Sequence, residues 1–503
     1  MLRSSWRVTT RLFILWGLVA NSALATTLTA DQNYLGFTQD GIRTFLGVPY
    51  ASAARWEMPA LRPKLSHPQQ QNADTFGPAC AQTPHIVDWY VGVIKDFGGD
   101  PNTFPHPNTS EGCLNLNIWA PEQIDKPLPV LVYIHGGSNK GGWSYEPNYI
   151  GHNLAKQDII VVTINYRLGV LGFFAHPDIP DPNFALMDQV TALQWIHQYA
   201  GQLGADLNNI TIMGESAGAN NVDFLMVTPH AQGLFHKAIH QSAGWSITGR
   251  VDLQSFTELG ISLLSALPEK SRTINELRRL PVQELLNLSQ PIYANHFFDP
   301  VPGTPSLPTA ALAAFESRQF HSADLLIGSN ADEWLMYVSD DATLDTTLHE
   351  LVPQKHHSAV RTLLSGLSEA EALDTLITAH NYVCPSFRLA AYNQTAGQRA
   401  WFYYFSRVRE GELAQAMGAY HGAELPYVFN THDEWLPTNR TDEQLSEQIM
   451  SYWVNFIRAG NPNGANLPAW PQFDDQYSTA ILDIPYRSAT HPSAKLCKLL
   501  ELQ

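Results

Sequence analysis

Residues 209–219 read Asn-Ile-Thr-Ile-Met-Gly-Glu-Ser-Ala-Gly-Ala. Asn209 to Met213 form a short, β-rich apolar run, and the stretch after Ser216 suits a helix. Between them lies Gly214-Glu215-Ser216-Ala217-Gly218, the G-x-S-x-G pattern in the strand–turn–helix setting that makes it a nucleophile elbow. At such an elbow the serine takes a strained backbone, so that its Oγ projects from the end of the sheet toward a substrate. Glycines two positions to either side leave room for the neighbouring strand and helix. The pattern occurs nowhere else in the chain, and on this reading Ser216 is a nucleophile.

A nucleophilic serine that attacks a carbonyl needs donors for the developing alkoxide. Upstream, His135-Gly136-Gly137-Ser138 directly follows the apolar run Pro129 to His135 (PVLVYIH). Backbone N–H groups of Gly137 and Ser138, with that of Ala217, are the candidate oxyanion hole. Further nearly continuous apolar runs are Asp158 to Tyr166, Lys237 to Ser242, Asp324 to Ser329 and Trp401 to Arg407. Such runs suit strands buried on both faces of a parallel sheet, and helical stretches such as Met187 to Gln202 alternate with them. Thr38 to Tyr50 reads as a small N-terminal β meander. The expected class is α/β, with one large, mostly parallel sheet and helices on both faces. No repeat, linker or charge block divides the chain, so residues 26–503 are expected to be one domain.

The chain's 503 residues are 44% hydrophobic and 15% charged, enough for a large core. The net charge of -17 disfavours nucleic acid, anionic membranes and polyanionic substrates. Arg3, Arg7 and Arg11, the short apolar run Leu12 to Ala20 and the small-residue site Ala23-Leu24-Ala25 have the layout of an export signal over residues 1–25. That apolar run is too short to span roughly 30 Å of hydrocarbon. The expected mature protein is exported, periplasmic or extracellular, without stable membrane insertion. In an oxidising compartment Cys80, Cys113, Cys384 and Cys497 suggest two disulfides, in any of three pairings. No C-x-x-C pair accompanies them, and no metal site is expected. Asn108, Asn209, Asn287, Asn393 and Asn439 head N-x-S/T sequons, which bear glycans only in a eukaryotic source.

Ile86, Trp89, Tyr90, Val93, Ile94 and Phe97 fall on one helical stripe, with Asp88, Lys95 and Asp96 away from it. Such a stripe packs on a core or serves as a lid over an apolar site. A serine nucleophile also needs a histidine base and an acid. Asp332 and Glu333 follow the strand DLLI, and His421 follows WFYYF, but 19 histidines leave the choice open on spacing alone.

The chain resembles the type-B carboxylesterase, cholinesterase-like family of the α/β-hydrolase fold. The resemblance rests on ordered blocks: FLGVPYA (45–51), FGPACAQ (76–82), EGCLNLNIWAP (111–121), VTINYRLGVLGFF (162–174) and DPNFALMDQ (181–189). It continues through NITIMGESAGA (209–219), IGSNADEW (327–334), YHGAELPYVF (420–429) and WVNFIRAGNPN (453–463). It implies a serine esterase with Ser216 as nucleophile, Glu333 as acid and His421 as general base, and no metal or organic cofactor. It also implies Cys80–Cys113 and Cys384–Cys497 as the disulfides, and Glu215 and Glu424 as supporting acids. Two departures stand out. Ser138 replaces the family's usual third glycine, and the place of the cholinesterases' choline-binding tryptophan is taken by Asp100 to Phe104, with Trp89 too far upstream. A carboxylesterase, not a cholinesterase, is therefore expected, acting on small-molecule esters, with Trp245 and Trp89 as candidate pocket residues. The rivals are a lipase or polyester hydrolase with a lid at 86–97, and a non-catalytic cholinesterase-like adhesion protein.

Overall fold

In the strand Leu128–Ile134 every residue is buried. Val130, Val132 and Ile134 join one core cluster, while Leu131 and Tyr133 join another on the opposite side. Successive side chains of a strand point to opposite faces. An uninterrupted apolar strand therefore needs cover on both sides, and the rest of the chain supplies it.

The computed structural model describes residues 24–28, 33–63 and 69–501. The expected export signal thus lies outside the described residues, apart from Leu24 and Ala25, which open the first strand. The principal sheet contains, in chain order, β1 Leu24–Leu28, β2 Tyr34–Gln39, β3 Ile42–Pro49, β4 Asn115–Pro121, β5 Leu128–Ile134 and β6 Ile160–Ile164. It continues with β7 Ala205–Glu215, β8 Lys237–Gln241, β9 Asp324–Asn330, β10 Ala400–Phe405, β11 Ser478–Leu482 and β12 Arg487–Thr490. Their spatial order is β1-β2-β3-β4-β6-β5-β7-β8-β9-β10-β11-β12, and the two-residue strand Gln71–Asn72 pairs with β2 off this path. From β6 through β11 every neighbouring pair is parallel. The N-terminal strands, β4 and the last strand are antiparallel additions, so the expected meander extends the sheet rather than standing apart.

Helices cover both faces. On one side pack α2 (Phe184–Tyr199), α3 (Ala217–Val227) and α4 (Cys384–Thr395), through residues such as Val190, Leu225 and Phe387. On the other lies α5 (Arg440–Ala459), through Ile449, Trp453 and Phe456. Its start is fixed by a capping box between Asn439 and Asp442. α1 (His85–Asp96) sits in the loop closed by the Cys80–Cys113 disulfide, and a second disulfide joins Cys384, the first residue of α4, to Cys497.

The arrangement positions a site. From β5 the chain moves to β6 on one side, then returns to β7 on the other. Ligands in open α/β sheets bind at such a switch point, beyond the carboxyl ends of the strands. Both sequence motifs are there: His135-Gly136-Gly137-Ser138 leaves β5, and Ser216 leaves β7.

Candidate active site

Ser216 has φ 57° and ψ -127°, a backbone conformation costly for any residue but glycine. Close packing enforces it. A Cβ on Gly214 would stand 2.3 Å from the Gly218 backbone, and one on Gly218 would stand 2.0 Å from the Ile134 carbonyl of β5. The Ser216 N–H donates to the Gln241 carbonyl at 2.9 Å, tying the turn to β8.

His421 meets this serine from a turn 205 residues later in the chain. Its Nε2 lies 2.9 Å from Ser216 Oγ, and its Nδ1 lies 2.6 Å from Glu333 Oε2. This arrangement selects the tautomer in which Nδ1–H donates to the carboxylate and Nε2 accepts from the serine. Glu333 is fully buried, and its other oxygen accepts the Asn330 N–H at 2.6 Å. The neighbouring carboxylate is turned elsewhere: Asp332 Oδ2 accepts the Ala419 N–H at 2.7 Å and so pins the segment before His421. The structure therefore brings Glu333, not Asp332, to the imidazole.

Two further acids surround His421. Glu215 Oε1 stands 3.3 Å from Nε2, while Glu424 accepts hydrogen bonds from Gln241 at 2.8 Å and Asn330 at 2.6 Å. Burial alone would lower the His421 pKa, but the Glu215 charge, then the hydrogen bond and charge of Glu333, then Glu424, lift it to about 9. Burial raises Glu215 to about 8, opposed by the His421 charge. The two groups are linked, because a proton on Glu215 withdraws the charge that holds the imidazolium.

The Gly137 and Ser138 N–H groups donate to no protein acceptor among the described residues. The Ala217 N–H, first in α3, has no acceptor within its helix. The turn carrying the first two is fixed from several directions. Asn139 donates to the Phe298 carbonyl at 2.7 Å and accepts from Asn221 at 2.9 Å, and its carbonyl takes the Gly169 N–H at 2.7 Å. Ser138 holds a left-handed φ of 57°, a cost of roughly 1 kcal/mol for a residue with a side chain. Its side chain is exposed at the cavity surface.

These groups open into a cavity of about 340 Å³. The expected pocket residues Trp89 and Trp245 both line it, as does α1 through Ile86 and Tyr90. α1 is a packed wall: Val87, Tyr90 and Ile94 are buried in a small cluster with Phe104 and Trp143, and Val93 is buried in the core on the α5 side of the sheet. Val87 belongs to that buried face although it lies off the expected stripe, and Phe97 falls just past the helix end. Trp89 Nε1–H donates to the Tyr337 hydroxyl at 2.9 Å, joining α1 to the far wall.

Sequence reasoning missed Glu146, Arg250, Tyr337 and Tyr382, which also line the cavity. Glu146 accepts from Tyr90 at 2.7 Å and from the Trp143 N–H at 3.0 Å, and burial pushes its pKa up to about 7. Tyr382 stands 5.0 Å from the Trp245 ring and 5.5 Å from that of His421. No motif marks these residues, since only tertiary packing gathers them. Among the described residues no group of His, Cys, Asp and Glu is placed to hold a metal ion, and no helix is long and apolar enough to cross a membrane.

Compared with known proteins, the chain matches the carboxylesterase family over residues 31–499. It is 30% identical over 479 residues to the cocaine esterase of Homo sapiens, covering 87% of this chain and 82% of that protein. To the para-nitrobenzyl esterase of Bacillus subtilis it is 30% identical over 473 residues, covering 89% and 92%. A solved PNB esterase superposes with a TM-score of 0.81 at 26% identity, over 95% of this chain and 99% of that one.

Proposed function

This chain belongs to the carboxylesterase family, and we propose that it hydrolyses small-molecule esters through an acyl-serine on Ser216. The observation that carries this reading is the continuous Ser216–His421–Glu333 hydrogen-bond chain, 2.9 and 2.6 Å long, beside three unengaged backbone donors. His421 Nε2 takes the Ser216 proton as Oγ attacks the ester carbonyl. The alkoxide forms where the Gly137, Ser138 and Ala217 N–H groups converge. Glu333 keeps the imidazole oriented and stabilises its cation, which returns the proton to the leaving alcohol. Water, activated by the same histidine, then releases the acid. Glu215 and Glu424 act on His421 through charge and position.

The cavity is of small-molecule size, and the packed α1 wall favours an esterase that needs no lid movement. We read residues 26–503 as one domain, supported by a single sheet reaching from Leu24 to Thr490. We also place the mature enzyme outside the cytoplasm, supported by the leader layout of residues 1–25 and the two disulfides.

The test is hydrolysis of p-nitrophenyl esters from acetate to palmitate by the mature chain and by Ser216→Ala. The expected result is a peak at short acyl chains, reduced roughly 10³-fold or more in the variant. A peak at long chains that rises past the solubility limit would replace the esterase by the lipase reading. Undiminished turnover by Ser216→Ala would remove the nucleophile.

A further inference from the structure

We propose that Arg250 forms an anion subsite in the catalytic cavity and that the preferred substrates are esters bearing a second, ionised carboxylate; this rests on the reading of Ser216 as nucleophile. The guanidinium carbon lies 3.5 Å from the centroid of the Trp245 ring and 3.9 Å from that of Phe297. Both rings line the cavity, and the guanidinium is thus flanked by aromatic surface. What remains are its N–H edges, the geometry that grips a carboxylate in bidentate fashion.

None of the described residues pairs with the Arg250 N–H groups, by hydrogen bond or by ion pair. Other arginines shielded from solvent are engaged: Arg55 with Glu111, Arg167 with Asp188 and Arg407 with Asp442. The acid that acts most on Arg250 is Asp299, which makes no contact ion pair with it; burial raises Asp299 to about 7, opposed first by the Arg250 charge and then by the Asn139 hydrogen bond at 3.3 Å. Burial in turn draws Arg250 down to about 9, against the charge of Asp299, and the group stays charged at neutral pH. Leaving a half-buried charge without a partner is costly, and an incoming carboxylate relieves it.

The subsite is close to the chemistry. Trp245 packs edge-on against Tyr382, whose ring in turn faces His421. A carboxylate held at Arg250 therefore orients a short substrate arm relative to Ser216. With a net charge of -17 the protein has no general attraction for anions, so such a preference is local to this residue.

Two matched pairs test the proposal with the whole mature chain. Monophenyl glutarate against methyl phenyl glutarate places the carboxylate on the acyl side, and 4-acetoxybenzoate against its methyl ester places it on the alcohol side. In at least one pair the wild type should favour the carboxylate ester in kcat/KM. Arg250→Gln should cut the anionic-to-neutral ratio roughly tenfold or more, with Arg250→Lys in between. A ratio unchanged by Arg250→Gln in both pairs overturns the subsite, as does an equal loss on both members of each pair. Neutral-ester turnover that is absent in the wild type, or that persists in Ser216→Ala, overturns instead the nucleophile reading beneath it.

Discussion

Glu215 faces the nitrogen of His421 that accepts the serine proton in the proposed mechanism, and its charge is the largest influence raising that histidine. The sign of its effect follows directly. A base raised above its ordinary value is protonated, and idle, over more of the pH range, so activity climbs with pH through the His421 transition. Glu215→Gln removes the charge, lowers the His421 pKa and should move the acidic limb of the kcat/KM profile to lower pH. An unmoved limb, or a shift upward, would contradict the geometry. Glu333→Gln should cost roughly 10² to 10⁴-fold in kcat, because the amide no longer enforces the tautomer. Asp332→Asn should lower stability more than turnover, since that carboxylate holds the Ala419 N–H; the reverse ranking in parallel kinetic and urea-unfolding assays would reassign the acid. At this scale the sequence was legible wherever chemistry is written into adjacent residues. Gly214 to Gly218 and the loop at Gly137 each carry their chemistry in consecutive residues, so motif reading reached them although distant contacts hold both in place. Glu333 and His421 meet only through the sheet, and residue spacing left them among many candidates until family resemblance selected them. Glu146, Tyr382 and Arg250 carry no local signal at all.

The most informative element is α1 in its disulfide loop. Cys80–Cys113 encloses a segment that walls the cavity through Ile86, Trp89 and Tyr90, whereas Ser216, Glu333 and His421 all lie outside it. Cys80→Ser/Cys113→Ser should therefore lower stability by roughly 3 to 4 kcal/mol and raise KM more than it lowers kcat. Urea unfolding and steady-state kinetics on one preparation would separate the two effects, and a loss confined to kcat would deny the wall its role. The stripe itself was readable as helical period, but wall and lid share one pattern and differ only in what packs against them. α2 shows a different limit. The expected start at Met187 lies three residues past the observed Phe184, because this helix is buried almost all round and shows little contrast between faces. β7 begins at Ala205, four residues ahead of the expected Asn209, just after Gly204 turns the chain at φ 87°.

For the whole molecule, continuous apolar runs announced a sheet buried on both faces, and that architecture was legible from burial demand alone. Strand order was not, since hydrophobic runs carry no record of their neighbours; the switch at β5 emerges only from pairing. One sheet with cores on both faces should unfold as one unit. Thermal transitions followed by far-UV circular dichroism and by tryptophan fluorescence should coincide, and two separated transitions would divide the chain into independently stable parts.

In the proposed mechanism Ser216 is the group that becomes acylated. That assignment is tested most directly by treating the mature enzyme with diethyl p-nitrophenyl phosphate and mapping the product by peptide mass spectrometry. The expected result is one equivalent of p-nitrophenol released and one diethylphosphoryl group on the peptide carrying Ser216, with ester hydrolysis lost in step. A label on another residue, or hydrolysis that survives full labelling of Ser216, would contradict it.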